Sequence, residues 1–167
     1  MNNLSNILDT LSLEFGGTLI GPDDNQFDGA RAVWNAMIDR RPAVIAQCKS
    51  VSDVQAAVKL AVAKDLPIAI KGGGHNVAGH AVCDGGVMID LSGMRGVEVD
   101  TTARLAKVQG GALWRDVDTA TQEHGLATPG GLISDTGVAG LTLSGGIGWL
   151  RAKHGLSIDN LVAADVV

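Results

Sequence analysis

Residues 71–80, KGGGHNVAGH, place three glycines between a lysine and a histidine, with a second histidine five positions on. Consecutive glycines leave backbone N–H groups unobstructed, and a run of free N–H groups makes an anion-binding nest. Beside the imidazole of His75, such bare backbone could serve a tight turn, a phosphate cradle, a metal site or a place where a ligand must touch the chain. A second glycine-rich tract, TPGGLISDTGVAGLTLSGGIGWL over residues 128–150, offers the bare backbone again at Thr136, Gly137 and Gly140, then Gly145, Gly146 and Gly148. Two cradles about 60 residues apart suit an elongated ligand with a pyrophosphate. Lys71 is the only cation adjacent to the first cradle.

Several standard chemistries fail on spacing. GGGHNVAG and GGIGWL both miss the third glycine of the dinucleotide fingerprint G-x-G-x-x-G, and no Gly-Lys-Ser/Thr exists for a phosphate-binding P-loop. A metal site on His75 and His80 lacks a third ligand at usable spacing, so no metal is expected. Cys48 and Cys83 stand 35 residues apart and read as reduced, structural thiols.

These tracts sit in a chain of 167 residues, 19% charged and 46% hydrophobic, enough for an ordinary core. Of 23 glycines, 18 fall between Gly72 and Gly148, which marks that stretch as loops needing bare backbone. The net charge is −5 and no basic cluster carries aromatics, so nucleic acid is excluded as a partner. No apolar run reaches membrane-spanning length, and MNNLSNILDTLSLEF lacks the basic and apolar regions of a signal peptide, so a cytoplasmic location is expected.

The positioning elements follow from periodicity. Residues 1–15 predict an amphipathic helix through Leu4, Ile7, Leu8 and Leu11. PAVIAQC (42–48) and IAIK (68–71) predict buried strands flanking a helix whose apolar face is Val54, Ala57, Val58, Ala61 and Val62, opened by Ser52 with Gln55 as a capping box and ended by Pro67. That is an α/β unit. GVMIDLS, VEVD and LAKVQGG predict short strands whose turn-like connections suit antiparallel neighbours. ALWRDVDTATQEHG predicts a second helix, lined by Leu113, Val117 and Ala120 and stopped by Gly125. The final LVAADVV predicts a buried strand with no return, as in a domain cut short; a soft boundary falls near residue 100.

IKGGGHNVAGHAVCDGGVMIDLSGMRGVEVD and ATPGGLISDTGVAGLTLSGGIGWLRAKHGLSIDNLVAADVV together resemble the flavin domain of the vanillyl-alcohol oxidase and p-cresol methylhydroxylase superfamily. More narrowly they resemble berberine-bridge-enzyme-like FAD-linked oxidases, the bacterial 6-hydroxy-D-nicotine oxidase type among them. The resemblance implies an α+β, two-lobed FAD-binding domain of the p-cresol methylhydroxylase type. One lobe, residues 1–100, carries a mixed sheet; the second, 101–167, carries an antiparallel sheet and is incomplete at its C-terminus. The resemblance further implies that the substrate domain lies outside these residues, and no catalytic base can be named from them.

The same resemblance implies that FAD is held by Lys71, Gly72, Gly73, Gly74, His75, Asn76, Gly79 and His80. From the second tract it implies Pro129, Gly130, Gly131, Thr136, Gly137, Gly140, Leu143, Gly145, Gly146 and Gly148. His75 would bond covalently to the flavin 8α-methyl carbon. A second linkage known in relatives would need a cysteine at Ile133, so attachment is expected to be single. Asp135, Asp159 and Asn160 read as turn or capping residues. The implied activity is hydride transfer from a small-molecule substrate to FAD and on to O2, in an enzyme that is a possible homo-oligomer. The alternatives are an apo flavin-binding fragment and a flavin reductase of the same fold without the histidyl bond.

Overall fold

The computed structural model describes residues 15–167, so the helix expected over residues 1–15 lies outside the described residues but for Phe15. In chain order the elements are β1 (Thr18–Ile20), α1 (Phe27–Arg31), β2 (Val44–Gln47), α2 (Val51–Ala63), β3 (Ile68–Lys71), β4 (Val87–Asp90), β5 (Val97–Asp100), β6 (Leu105–Val108), α3 (Trp114–Gln122), α4 (Val138–Leu143) and α5 (Arg151–His154), then a 3-10 turn (Ile158–Asn160). β1, β2, β4 and β3 form a mixed four-stranded sheet in that order, with β1 antiparallel to β2 and the other pairs parallel. β5 and β6 form a separate antiparallel pair. The architecture is α+β, with a mixed sheet and an antiparallel one, as the resemblance implies.

Strand alternation divides the core. Val44 and Ala46 of β2 and Val87 and Ile89 of β4 pack with Ala57, Leu60 and Ala61 of α2. Ile45 and Met88, one residue out of phase, pack with Ile20, Phe27 and Val82 on the opposite face. Each fully buried Val, Ile or Met side chain among these contributes about 2 kcal/mol. The face of α2 is therefore centred on Ala57, Leu60 and Ala61, with Val54 and Val58 at its margin, while Val62 is exposed.

Several expectations change here. The helix cap lies two residues earlier, at Ser50: Ser50 Oγ accepts the Asp53 N–H at 3.2 Å, and the Asp53 carboxylate accepts the Ser50 N–H at 3.0 Å. Asp53 is buried and also accepts from Lys49 N and Gly16 N at 2.9 and 2.8 Å. Burial pushes its pKa up, but the N–H donors of Lys49, Gly16 and Ser50 outweigh it and hold the carboxyl below its usual range. β4 is not an antiparallel neighbour of β5: all four of its residues are buried, so it is central and parallel, between β2 and β3. β5 and β6 stay partly solvated and pair with each other.

In α3 the buried side is Trp114, Val117 and Thr121, because Leu113 is the N-cap. Residues 161–167 are exposed and belong to no strand. Among the described residues, no helix is long and apolar enough to cross a membrane, and no cluster of metal-ligating side chains occurs.

Candidate functional site

β3 delivers the chain into the first glycine tract at the edge of the mixed sheet. There the N–H groups of residues 72–76 find no acceptor among the described residues. The loop is held from outside by the 34–40 segment. Trp34 N–H donates to Gly74 O at 3.1 Å, Asn35 Nδ2 to Val77 O at 2.8 Å, and Arg40 Nη1 to Gly79 O at 2.8 Å. Gly74 takes φ +71°, a left-handed conformation that suits glycine.

The second tract meets the first through backbone alone. A Cβ on Gly73 would lie 2.7 Å from Gly137 Cα, and one on Gly137 would lie 2.9 Å from Gly73 Cα. Only two glycines allow this approach. Gly137 is set by β-type bonding to the start of α3, where Trp114 N donates to Thr136 O at 3.0 Å and Val138 N to Ala112 O at 2.9 Å.

The result is an open cleft of about 350 Å³. Lys71, Gly72, Gly73 and His75 line it from the first tract, Asp135 from the second, with Trp34, Ser92, Arg95, Gly111, Leu113 and Arg115. Its volume falls in the range of small-molecule sites, about 300–1,000 Å³. His75 is the chemically distinctive group. Its Nε2 lies 3.5 Å from Asp135 Oδ1, and its ring stacks on Trp34 with centroids 5.7 Å apart and planes 22° apart.

The other residues expected at the site are placed variously. Lys71 turns its ammonium to Ala30 O at 2.9 Å and the buried Asp90 carboxylate at 3.7 Å, so the cleft's cationic lining comes also from Arg95 and Arg115. Arg95 is bidentate to Asp116, whose carboxyl it holds below the usual range against a partial burial effect. Asn76 accepts the His80 N–H at 3.0 Å, and both are exposed outside the cleft lining. Gly79 packs beneath Ile38.

In the second tract, Pro129 is buried, and a Cβ on Gly130 or Gly131 would run into the Trp114 ring. Gly146 abuts Ser157 and Gly148 abuts the Gly130 backbone. Gly145 has φ +110°, Thr136 closes a turn onto Ile133 O, and Gly140 and Leu143 are exposed on α4. Ile133 is exposed too. Asp159 and Asn160 are turn residues as expected: Asp159 accepts Leu156 N at 2.7 Å, and Asn160 Nδ2 donates to His154 O at 3.0 Å. Asp135 is the exception, facing His75.

Sequence reasoning missed Trp34, Ser92, Arg95, Gly111 and Arg115. The Gly110–Gly111 pair was the one visible signal, since Gly111 passes directly against Leu91 O. Both cysteines are free. Cys48 is buried, which with the nearby Asp53 and Asp90 charges pushes its thiol up to about 12, an inert group as expected.

The residues present fit an elongated anion: a run of N–H groups without acceptors among the described residues, flanking arginines, and a histidine on the same wall. Comparison with known proteins agrees. Residues 42–167 match the family described as FAD binding domain. The chain is 37% identical over 155 residues to (R)-6-hydroxynicotine oxidase of Paenarthrobacter nicotinovorans, covering 93% of this chain and 34% of the relative. The crystal structure of 6-hydroxy-D-nicotine oxidase from Arthrobacter nicotinovorans superposes with TM-score 0.86 at 37% identity, over 88% of this chain and 32% of that one. Physcomitrella patens BBE-like 1 superposes with TM-score 0.87 at 26% identity, over 95% of this chain and 34% of that one. The chain thus spans about a third of the length of these relatives. With the family match running from β2 through both glycine tracts, this chain belongs to the FAD-binding domain family of the FAD-linked oxidoreductases, beside 6-hydroxynicotine oxidase and the BBE-like proteins.

Proposed function

We propose that this chain is the cofactor-gripping part of a flavin-dependent oxidase, with FAD attached through a single bond from His75. The observation that carries the reading is His75 on the cleft wall, next to five consecutive N–H groups without acceptors among the described residues. Those N–H groups, with Arg115, would neutralise a pyrophosphate despite the acidic net charge of the chain. His75 would supply a ring nitrogen to the flavin 8α-methyl carbon. Ile133 has no nucleophile to add a second bond. When bound, the flavin supplies a two-electron acceptor that takes hydride from a small-molecule donor and passes the electrons to O2. The similarity to (R)-6-hydroxynicotine oxidase supports an oxidase.

Intact mass of the purified protein tests this. The expected result is a gain of one FAD that survives acid and vanishes in His75→Ala. A flavin released by acid from the wild type, or retained covalently in His75→Ala, overturns the attachment.

A further inference from the structure

His75 does not stand alone in its loop: two residues from distant segments touch its ring on different sides. Trp34 covers a face, with ring planes 22° apart. Asp135 meets the edge at Nε2, at 3.5 Å. Both contacts are braced. Trp34 is tied to the His75 loop itself by its N–H to Gly74 O, and its neighbour Asn35 reaches Val77 O. Asp135 sits in a tight segment where Arg115 N donates to Ser134 O at 2.9 Å and Thr136 N to Ile133 O at 3.1 Å. Two residues further on, Gly137 abuts Gly73, so the segment carrying Asp135 and the loop carrying His75 are joined by backbone.

We propose that Asp135 and Trp34 are positioning residues for His75, holding its imidazole with the proton on Nε2 and the lone pair on Nδ1. A carboxylate oxygen can only accept, so the nitrogen facing it is favoured as the N–H. A neutral imidazole has one N–H, which leaves Nδ1 as the nucleophilic nitrogen. Trp34 fixes the plane in which that lone pair is presented. This inference rests on His75 being the attachment residue.

The same contact serves the bond-forming step. When Nδ1 gives its electron pair to the 8α carbon, positive charge develops on the ring and the Nε2 proton becomes acidic. Asp135 balances that charge and takes the proton toward solvent, as the carboxylate beside a catalytic histidine balances an imidazolium. The other proton would come from the methyl group, whose C–H bond must break before the 8α carbon can accept the Nδ1 pair; dioxygen is the oxidant, accepting the two electrons and both protons as hydrogen peroxide.

The test uses Asp135→Ala, Asp135→Glu and Trp34→Leu, with two readouts. The first is the His75 tautomer, read from ¹⁵N chemical shifts in histidine-labelled, flavin-free protein, with His75→Ala assigning the signal. The second is the rate at which added FAD becomes covalently attached, followed by intact mass. Asp135→Ala should lower the Nε2–H to Nδ1–H ratio roughly fivefold, as loss of an exposed pair worth about 1 kcal/mol would. It should slow attachment about tenfold, the scale seen when a ligating histidine loses its orienting carboxylate. Asp135→Glu should recover most of both, and Trp34→Leu should slow attachment with a smaller tautomer change. Unchanged tautomer ratios in Asp135→Ala overturn the inference, whether or not His75 carries flavin. A changed ratio with no covalent flavin in the wild type keeps the positioning role and overturns only the attachment.

Discussion

The two glycine tracts look alike as letters and differ as structure. In the first, residues 72–76 keep their N–H groups free of acceptors among the described residues, and the loop is fastened by hydrogen bonds from the 34–40 segment. In the second, the glycines are consumed by the protein's own packing: Gly130 and Gly131 lie on the Trp114 ring, Gly146 on Ser157, Gly148 on the Gly130 backbone. Bare backbone thus has two uses, leaving a surface open or letting two parts of the chain close. The first tract presents chemistry, and the second builds the wall that faces it. Gly73 and Gly137 are where the two uses meet.

That joint is the place to break the comparison with the largest effect. In Gly73→Ala the new methyl group meets Gly137 backbone, which has no flexible side chain to move aside. The expected cost is roughly 3 kcal/mol or more, the upper range for overpacking, and the cleft should lose FAD with it. Urea unfolding of the flavin-free protein measures the first effect and flavin retention the second. A variant with wild-type stability would show that the tracts are not held by this approach.

The helices next to each tract sharpen the contrast. Both start with an aspartate at the third position. Asp53 is buried on three backbone donors, whereas Asp116 is part-exposed on Leu113 N and the Arg95 guanidinium. Asp53→Asn should cost about 2 kcal/mol at pH 7, within the range for hydrogen bonds to a buried charge, and Asp116→Asn about half that. The sign with pH follows from the depressed carboxyl of Asp53. Its contribution is complete above the ordinary carboxylate pKa, near 4, and is lost as pH falls through the lower folded value. Wild type and Asp53→Asn should therefore converge as acid protonates the carboxylate; a gap that does not narrow as pH falls would mean packing rather than charge.

Local pattern carried much of this molecule. The β2–α2–β3 unit is legible in two apolar runs around one periodic helix, and His75 in its glycine run. Two kinds of feature were not. β4 reads as another short strand, and only the burial of all four residues by partners on both sides makes it central and parallel. Trp34, Arg95, Arg115 and Asp135 have no local signal, because their roles exist only where distant segments converge on His75 and its cleft. Asp135 reads as a turn residue, and its segment does turn; the second property appears only when Gly73 meets Gly137.

Gly140 offers the smallest effect and the cleanest separation of the two uses of glycine. It lies inside α4, exposed, with nothing within 4 Å of the position a Cβ would take. No internal contact requires glycine there, so Gly140→Ala should stabilise the flavin-free protein by up to about 1 kcal/mol through helix propensity. If the position also backs onto bound FAD, as the family resemblance implies, the same methyl group should weaken flavin retention while stability rises. Opposite signs in the two measurements would mark Gly140 as a ligand-facing glycine in an otherwise internally packed tract. Higher stability with unchanged flavin retention would leave the second tract as scaffold at this position and assign cofactor contact to the first.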